Sequence, residues 1–210
     1  HDIMVAQGSS PYFLFREIQA QQRISGLYEL SRKIPMIVRP LIKEGAKACN
    51  VTRMISVLND HVMDRLLKLL EKELGKAPLP FSWLLFGSAG RHELVFKSRQ
   101  TNGILYSNSP DETISREAEK YFRTLSERAV KHLVACGYPS DAGDITASSI
   151  KWRQPQSVWD TYFRGWCGFH DREENFDPAV FFDFRSGAGS ASLAEKLKEQ
   201  VHALTRENEQ

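Results

Sequence analysis

The sequence predicts an α+β fold: a helical bundle attached to a small mixed sheet with helices on its flanks. Three observations lead there. Apolar residues recur at helical spacing through the first third, short β-like runs begin after Pro78 to Pro80, and those runs alternate with further amphipathic segments.

Ser9, Ser10 and Pro11 form a helix-start signal, and Phe13, Leu14, Ile18, Ile24, Leu27 and Leu30 follow near helical spacing. They predict one long helix ending near Lys33, before Pro35. A second, shorter helix is expected from about Met36 to Cys49, with Pro40 near its first turn and Gly45 as a weak point. The third is the clearest: Val51, Met54, Ile55, Leu58, Val62, Leu66, Leu70 and Leu74 form an apolar stripe that Gly75 and Pro78 bring to an end.

Beyond Pro80, Phe81 to Phe86 reads as a buried strand breaking at Gly87-Ser88 into a tight turn. A helix containing Glu93 is expected after the turn, then a second strand over Ser98 to Tyr106. Asp111 to Cys136 reads as a helix with Tyr121, Phe122, Leu125, Ala129, Leu133 and Val134 on its buried side, stopped by Gly137-Tyr138-Pro139. Ile145 to Ile150 fits a short strand or a loop, Gln156 to Trp166 an aromatic-rich helix, and Val180 to Arg185 a strand. Leu193, Leu197, Val201 and Leu204 mark a final amphipathic helix. The sequence leaves open whether the helical third packs on the sheet or extends from it.

A chain of 210 residues, 41% hydrophobic and 26% charged, can bury a real core. Its net charge of +2, with 28 basic and 26 acidic residues well mixed, implies no field-wide attraction to nucleic acid or membrane. Cys49, Cys136 and Cys167 stand in no Cys-x-x-Cys pair, which argues against a disulfide framework or zinc site and fits a reducing cytoplasm. No apolar run approaches the ~20 residues needed to cross a bilayer. The opening at His1-Asp2 rather than Met leads us to expect a fragment of a longer protein.

The stretch Phe81 to Arg91 carries the functional signal. Gly87 lets the backbone turn closely, Ser88 offers a hydroxyl, and a helix start near Ala89 would present its positive end, so the expected ligand is phosphate. Arg91 is near enough to reach that phosphate or to pair with Glu93. With Gly87-Ser88-x-Gly90-Arg91-x-Glu93 and its spacing to Asn102, the chain resembles the nucleotidyltransferases similar to the catalytic domain of PII uridylyltransferase, often found behind CBS or cyclic-nucleotide-binding modules. Trp152-Arg153, Trp159, Trp166 and Phe181 to Arg185 also resemble that family's C-terminal landmarks. The resemblance implies a polymerase-β-like core over residues 78–210, preceded by a helical region over 1–77.

The resemblance also implies Mg²⁺ and a nucleoside triphosphate, with aspartates where this chain has Arg99 and Thr101. Residues two apart on a strand share a face, which is how two such aspartates would chelate a metal. A guanidinium cannot ligate Mg²⁺, and a threonine hydroxyl is a poor substitute for a carboxylate. Asp183 matches the family's third acidic position and is the residual acidic candidate, expected on a strand. Two fates fit Arg99: it takes the metal's place, pairing with Asp183 or phosphate, or it swings into solvent.

Other signals are weaker. Asp141, Asp144, Asp171, Glu173, Glu174 and Asp177 read as solvated loop acids, and His170-Asp171 lacks supporting histidines. Trp152, Trp159 and Trp166, seven residues apart, read as core. Three functions follow: a degenerate nucleotide-binding module regulating a signalling protein through upstream domains or a partner, a working nucleotidyltransferase using Asp183 and an unplaced carboxylate, or a structural module whose helices form a homodimer.

Overall fold

The structure, a computed structural model, describes residues 10–140, 145–168 and 178–208. Helix α1 spans Pro11–Ala20, α2 Ile24–Lys43 and α3 Ala48–Leu74. Pro11 sits in the first turn of α1, and the Ser10 side chain accepts the Tyr12 N–H at 3.3 Å. The single long helix expected here is two. Gln21 breaks it, because its side-chain oxygen accepts the N–H groups of Gln22 and Arg23 and competes with the helical ladder. Arg65 of α3 then fixes the break, donating to the Gln21 carbonyl at 2.6 Å.

Nor does Pro35 end a helix, since α2 runs through both Pro35 and Pro40. Leu27, Leu30, Ile34, Ile37 and Val38 bury a continuous stripe, and that packing outweighs the ~3 kcal/mol an interior proline costs. The expected second helix is therefore the end of α2. Gly45, with φ at 86°, lies in the break before α3. Helix α3 follows the stripe seen in the sequence and stops at Gly75, φ 90°.

The sheet holds β1 (Phe81–Phe86), β2 (Asn102–Tyr106), β3 (Arg153–Pro155) and β4 (Phe184–Gly189) in the order β3-β2-β1-β4. Strand β1 pairs antiparallel with β2 and β4, and β2 pairs parallel with β3. A single turn, α4 (Gly87–Gly90), follows β1, and α5 (Glu112–Ala135) follows β2. Asp111 caps α5, accepting the Thr113 N–H at 2.7 Å. Helices α6 (Gln156–Cys167), α7 (Ala179–Phe182) and α8 (Ala191–Asn208) complete the described chain.

Both faces of the sheet are covered, which is why every residue of β1 is buried. Phe81, Trp83, Leu85 and Ile104 join the core made with α1, α2, α3 and α5; Leu84, Phe86 and Leu105 join the core made with α6, α7 and α8. The helical third thus packs directly on the sheet. Trp152 and Trp159 stack at 6.2 Å, Trp166 lies 4.8 Å from Phe181, and the Trp159 indole donates to the Ile104 carbonyl at 3.1 Å. The seven-residue spacing of tryptophans is therefore core packing.

Four local expectations change. Strand β2 starts at Asn102 rather than Ser98, because the N–H groups of Gln100 and Asn102 go to the carbonyls of Pro139 and Ile145, on loops. No long helix carries Glu93: α4 is one turn, and the chain reverses through His92, whose φ is 57°. The segment read as a strand from Val180 is instead α7, with Phe181 driven into the aromatic core, and β4 begins at Phe184. Val134, next to buried Leu133, faces solvent at 46% exposure. Residues 145–149 form a loop leading into a 3₁₀ turn at Ile150–Trp152.

Candidate nucleotide site

Three strand ends meet at the Gly87 turn. The Phe86 N–H donates to the Thr101 carbonyl at 3.1 Å, Phe86 lies opposite Phe184, and the Gly87 N–H donates to the Asp183 carbonyl at 2.9 Å. Thr101 and Asp183 therefore flank the turn from either side. Two glycines permit this: Gly87 has φ 55°, and a β-carbon on Gly90 would collide with the Asp183 carbonyl.

The turn differs from the expected anion cradle in two ways. Its helix is four residues long, so the aligned dipole is small, and the Gly87 N–H is already bonded. Ser88 is exposed, and its carbonyl accepts the Glu93 N–H at 2.8 Å. The groups left to meet an anion are the Ser88 hydroxyl and the start-of-turn N–H groups of Ser88 and Ala89, which a helix leaves without internal acceptors.

Arg91 holds both nearby carboxylates. Its Nε donates to Glu93 at 2.7 Å and its Nη1 to Asp183 at 2.6 Å, and these two bonds, Glu93 first, raise the guanidinium pKa above its usual value. Asp183 sits just before β4 rather than on a strand, and its partner is Arg91 rather than Arg99.

The run Arg99-Gln100-Thr101-Asn102 alternates in role. Gln100, 6% exposed, donates to the carbonyls of Val130 and Tyr138; Asn102, 2% exposed, accepts the Ala147 N–H at 2.9 Å and donates to Gln100. Both brace the fold. Arg99 is exposed and Thr101 half-buried, and both line a cleft with Asp60 and Ser98 that has about 50 Å³ of free volume, room for a water or two.

Asp60 is a cleft residue that the sequence reading missed. It rides on α3 beside the apolar stripe, and Arg185 of β4 donates to it at 2.9 Å while also donating to the Ala89 carbonyl at 3.0 Å. His92 Nδ1 lies 3.9 Å away. Burial pushes the Asp60 pKa up more than Arg185 and His92 pull it down, and burial with the nearby Arg185 lowers that of His92. An acidic residue between the buried Leu58 and Val62 was the available signal. Asp141, Asp144, His170, Asp171, Glu173, Glu174 and Asp177 lie outside the described residues.

The described residues around the turn do not fit a Mg²⁺ ion. Arg99 offers no lone pair, Thr101 only a hydroxyl, and Asp183 is engaged by a cation; among the described residues no group of three or more His, Cys, Asp or Glu could hold a metal.

A small mixed sheet flanked by helices, with a Gly-Ser turn after its first strand, is consistent with a nucleotidyltransferase-like core. The chain belongs to the family described as "Putative nucleotidyltransferase DUF294", whose model matches residues 32–173. That match starts within α2 and ends beyond α6, taking in α3 and the Gly87 turn together. A search of curated proteins finds no match to the chain. Among the described residues no helix is long and apolar enough to cross a membrane.

Proposed function

We propose that this domain is a catalytically degenerate nucleotidyltransferase, similar to the catalytic domain of PII uridylyltransferase, which binds nucleotide without metal and serves as a regulatory module of a signalling protein. Its setting is cytoplasmic, and it answers to upstream domains of a longer chain or to a partner protein. The observation that supports this most is the alternation over residues 99–102. All four border the cleft, but Gln100 and Asn102 are buried and hydrogen-bonded into the fold, whereas Arg99 is exposed and Thr101 half-buried. Loss of chemistry without loss of fold leaves that pattern, because replacing a buried, hydrogen-bonded side chain costs more stability than replacing one that solvent reaches.

On this reading Gly87 shapes the turn, Ser88 and Arg99 contact phosphate, and Arg91 neutralises Asp183 and Glu93 where a metal would otherwise do so. A second reading, an active transferase, draws support from Asp60, a further carboxylate at the cleft. Calorimetry with ATP and UTP, with and without Mg²⁺, separates these readings. Metal-independent binding supports the regulatory module, metal-dependent turnover supports the enzyme, and absence of binding leaves a structural or dimerisation role.

A further inference from the structure

Helices α2 and α3, the 95–97 loop and the end of α5 enclose a second cavity of about 240 Å³. Tyr138 separates it from the cleft beside Arg99 and Thr101, its hydroxyl donating to Asn59 at 2.7 Å; both residues line both cavities. Its floor is apolar, formed by Ile34, Pro35, Ile55 and Phe96. Arg32, Arg39 and Lys97 stand around it, all exposed, and no carboxylate is among the described residues that line it.

Some surface cations have partners: Lys33 pairs with Glu17, Lys68 with Asp64, Arg116 with Glu112, Arg128 with Glu73. Arg32, Arg39 and Lys97 make no ion pair among the described residues. Three like charges around one concavity repel one another, and the arrangement is relieved by an anion. Lys97 is held there by backbone at φ 61°, a conformation non-glycine residues seldom adopt, and neighbouring Val95 is 57% exposed. Apolar surface beneath a cationic rim matches a ligand with both characters.

We propose that this cavity binds a small anion carrying an apolar ring or short chain, such as an aryl phosphate, at a site separate from the Gly87 turn. The phosphate meets Arg32, Arg39 and Lys97, and the ring covers Pro35 and Phe96.

The test is calorimetric titration of the 210-residue chain with 1-naphthyl phosphate and, in parallel, with inorganic phosphate. Naphthyl phosphate is expected to bind in the sub-millimolar range, and inorganic phosphate at least about tenfold more weakly. Arg39→Glu and Lys97→Glu should each weaken naphthyl phosphate about tenfold while leaving the circular dichroism unchanged, whereas Arg116→Glu on α5 should not. Equal affinity for the two probes removes the apolar half of the proposal, and no binding removes all of it. Loss on Arg91→Ala with Arg39→Glu silent would move the ligand to the turn and overturn the site.

Discussion

Gly90 lies so close to the backbone carbonyl of Asp183 that no β-carbon fits between them. The turn after β1 and the segment leading into β4 are thus locked by backbone contact, with the Gly87 N–H bonded to the same carbonyl. Gly90→Ala must push these two apart. It is expected to destabilise the domain by about 1–3 kcal/mol in denaturant titration. Gly165→Ala on α6, where nothing lies within 4 Å of the added carbon, is the contrast and should stabilise by about 0.5–1 kcal/mol.

On the proposed reading, Arg91 and the 99–101 face together decide whether a divalent ion can enter. Removing Arg91 leaves Glu93 and Asp183 without their shared cation, so Arg91→Ala should bind Mn²⁺ more tightly than the native chain, with little loss of stability because the side chains are exposed. Arg99→Asp with Thr101→Asp should go further and create Mg²⁺-dependent binding of ATP or UTP, at least tenfold stronger with the ion than without. Native protein that already transfers nucleotide with Mg²⁺ would refute the degenerate reading.

The long regular elements were legible in the sequence because one period explained each of them. The stripe on α3, the capped start of α5 and the six-residue β1 follow from residue spacing, Asp111 and the turn at Gly87. Most of the misses come from long-range contacts overriding local signals, and one comes from a local side-chain bond. Packing carries α2 through Pro35, the Gln21 side chain divides an otherwise continuous pattern, and the bonds from Gln100 and Asn102 to two loops shorten β2. At the site, Gly87, Ser88 and Arg91 were visible as a contiguous motif. Asp60 and Arg185 were not, since 125 positions separate partners that only the sheet brings together.

Stability should fall as pH drops from 7 to 5. Burial lowers the pKa of His61, His92 and His132 in the fold, while the unfolded chain titrates near ~6.5. A group with a depressed folded pKa contributes stability that is present above the unfolded value and lost as pH falls through the folded one. Asp60 acts oppositely and in a lower window, because its raised pKa favours the fold as it protonates. His132 is the clearest test, its Nδ1 lying 2.6 Å from the Tyr28 hydroxyl. His132→Gln keeps an acceptor for Tyr28 and should flatten the change in denaturation midpoint between pH 7 and 5.

The Asp60–Arg185 pair should be worth less as a whole than either half suggests. Their side chains are only 18% and 14% exposed, and for Asp60 the cost of burial exceeds the help from Arg185, as its raised pKa records. Arg185→Met strands a buried carboxylate and removes the 3.0 Å side-chain bond to the Ala89 carbonyl, which keeps only backbone donors, so it should destabilise by about 3–5 kcal/mol. Asp60→Leu combined with Arg185→Met removes both charges at once and should recover most of that loss. Denaturation of the two single variants and the double variant completes the cycle. If the double variant is as unstable as the sum of the singles, the pair is not coupled as the 2.9 Å contact implies.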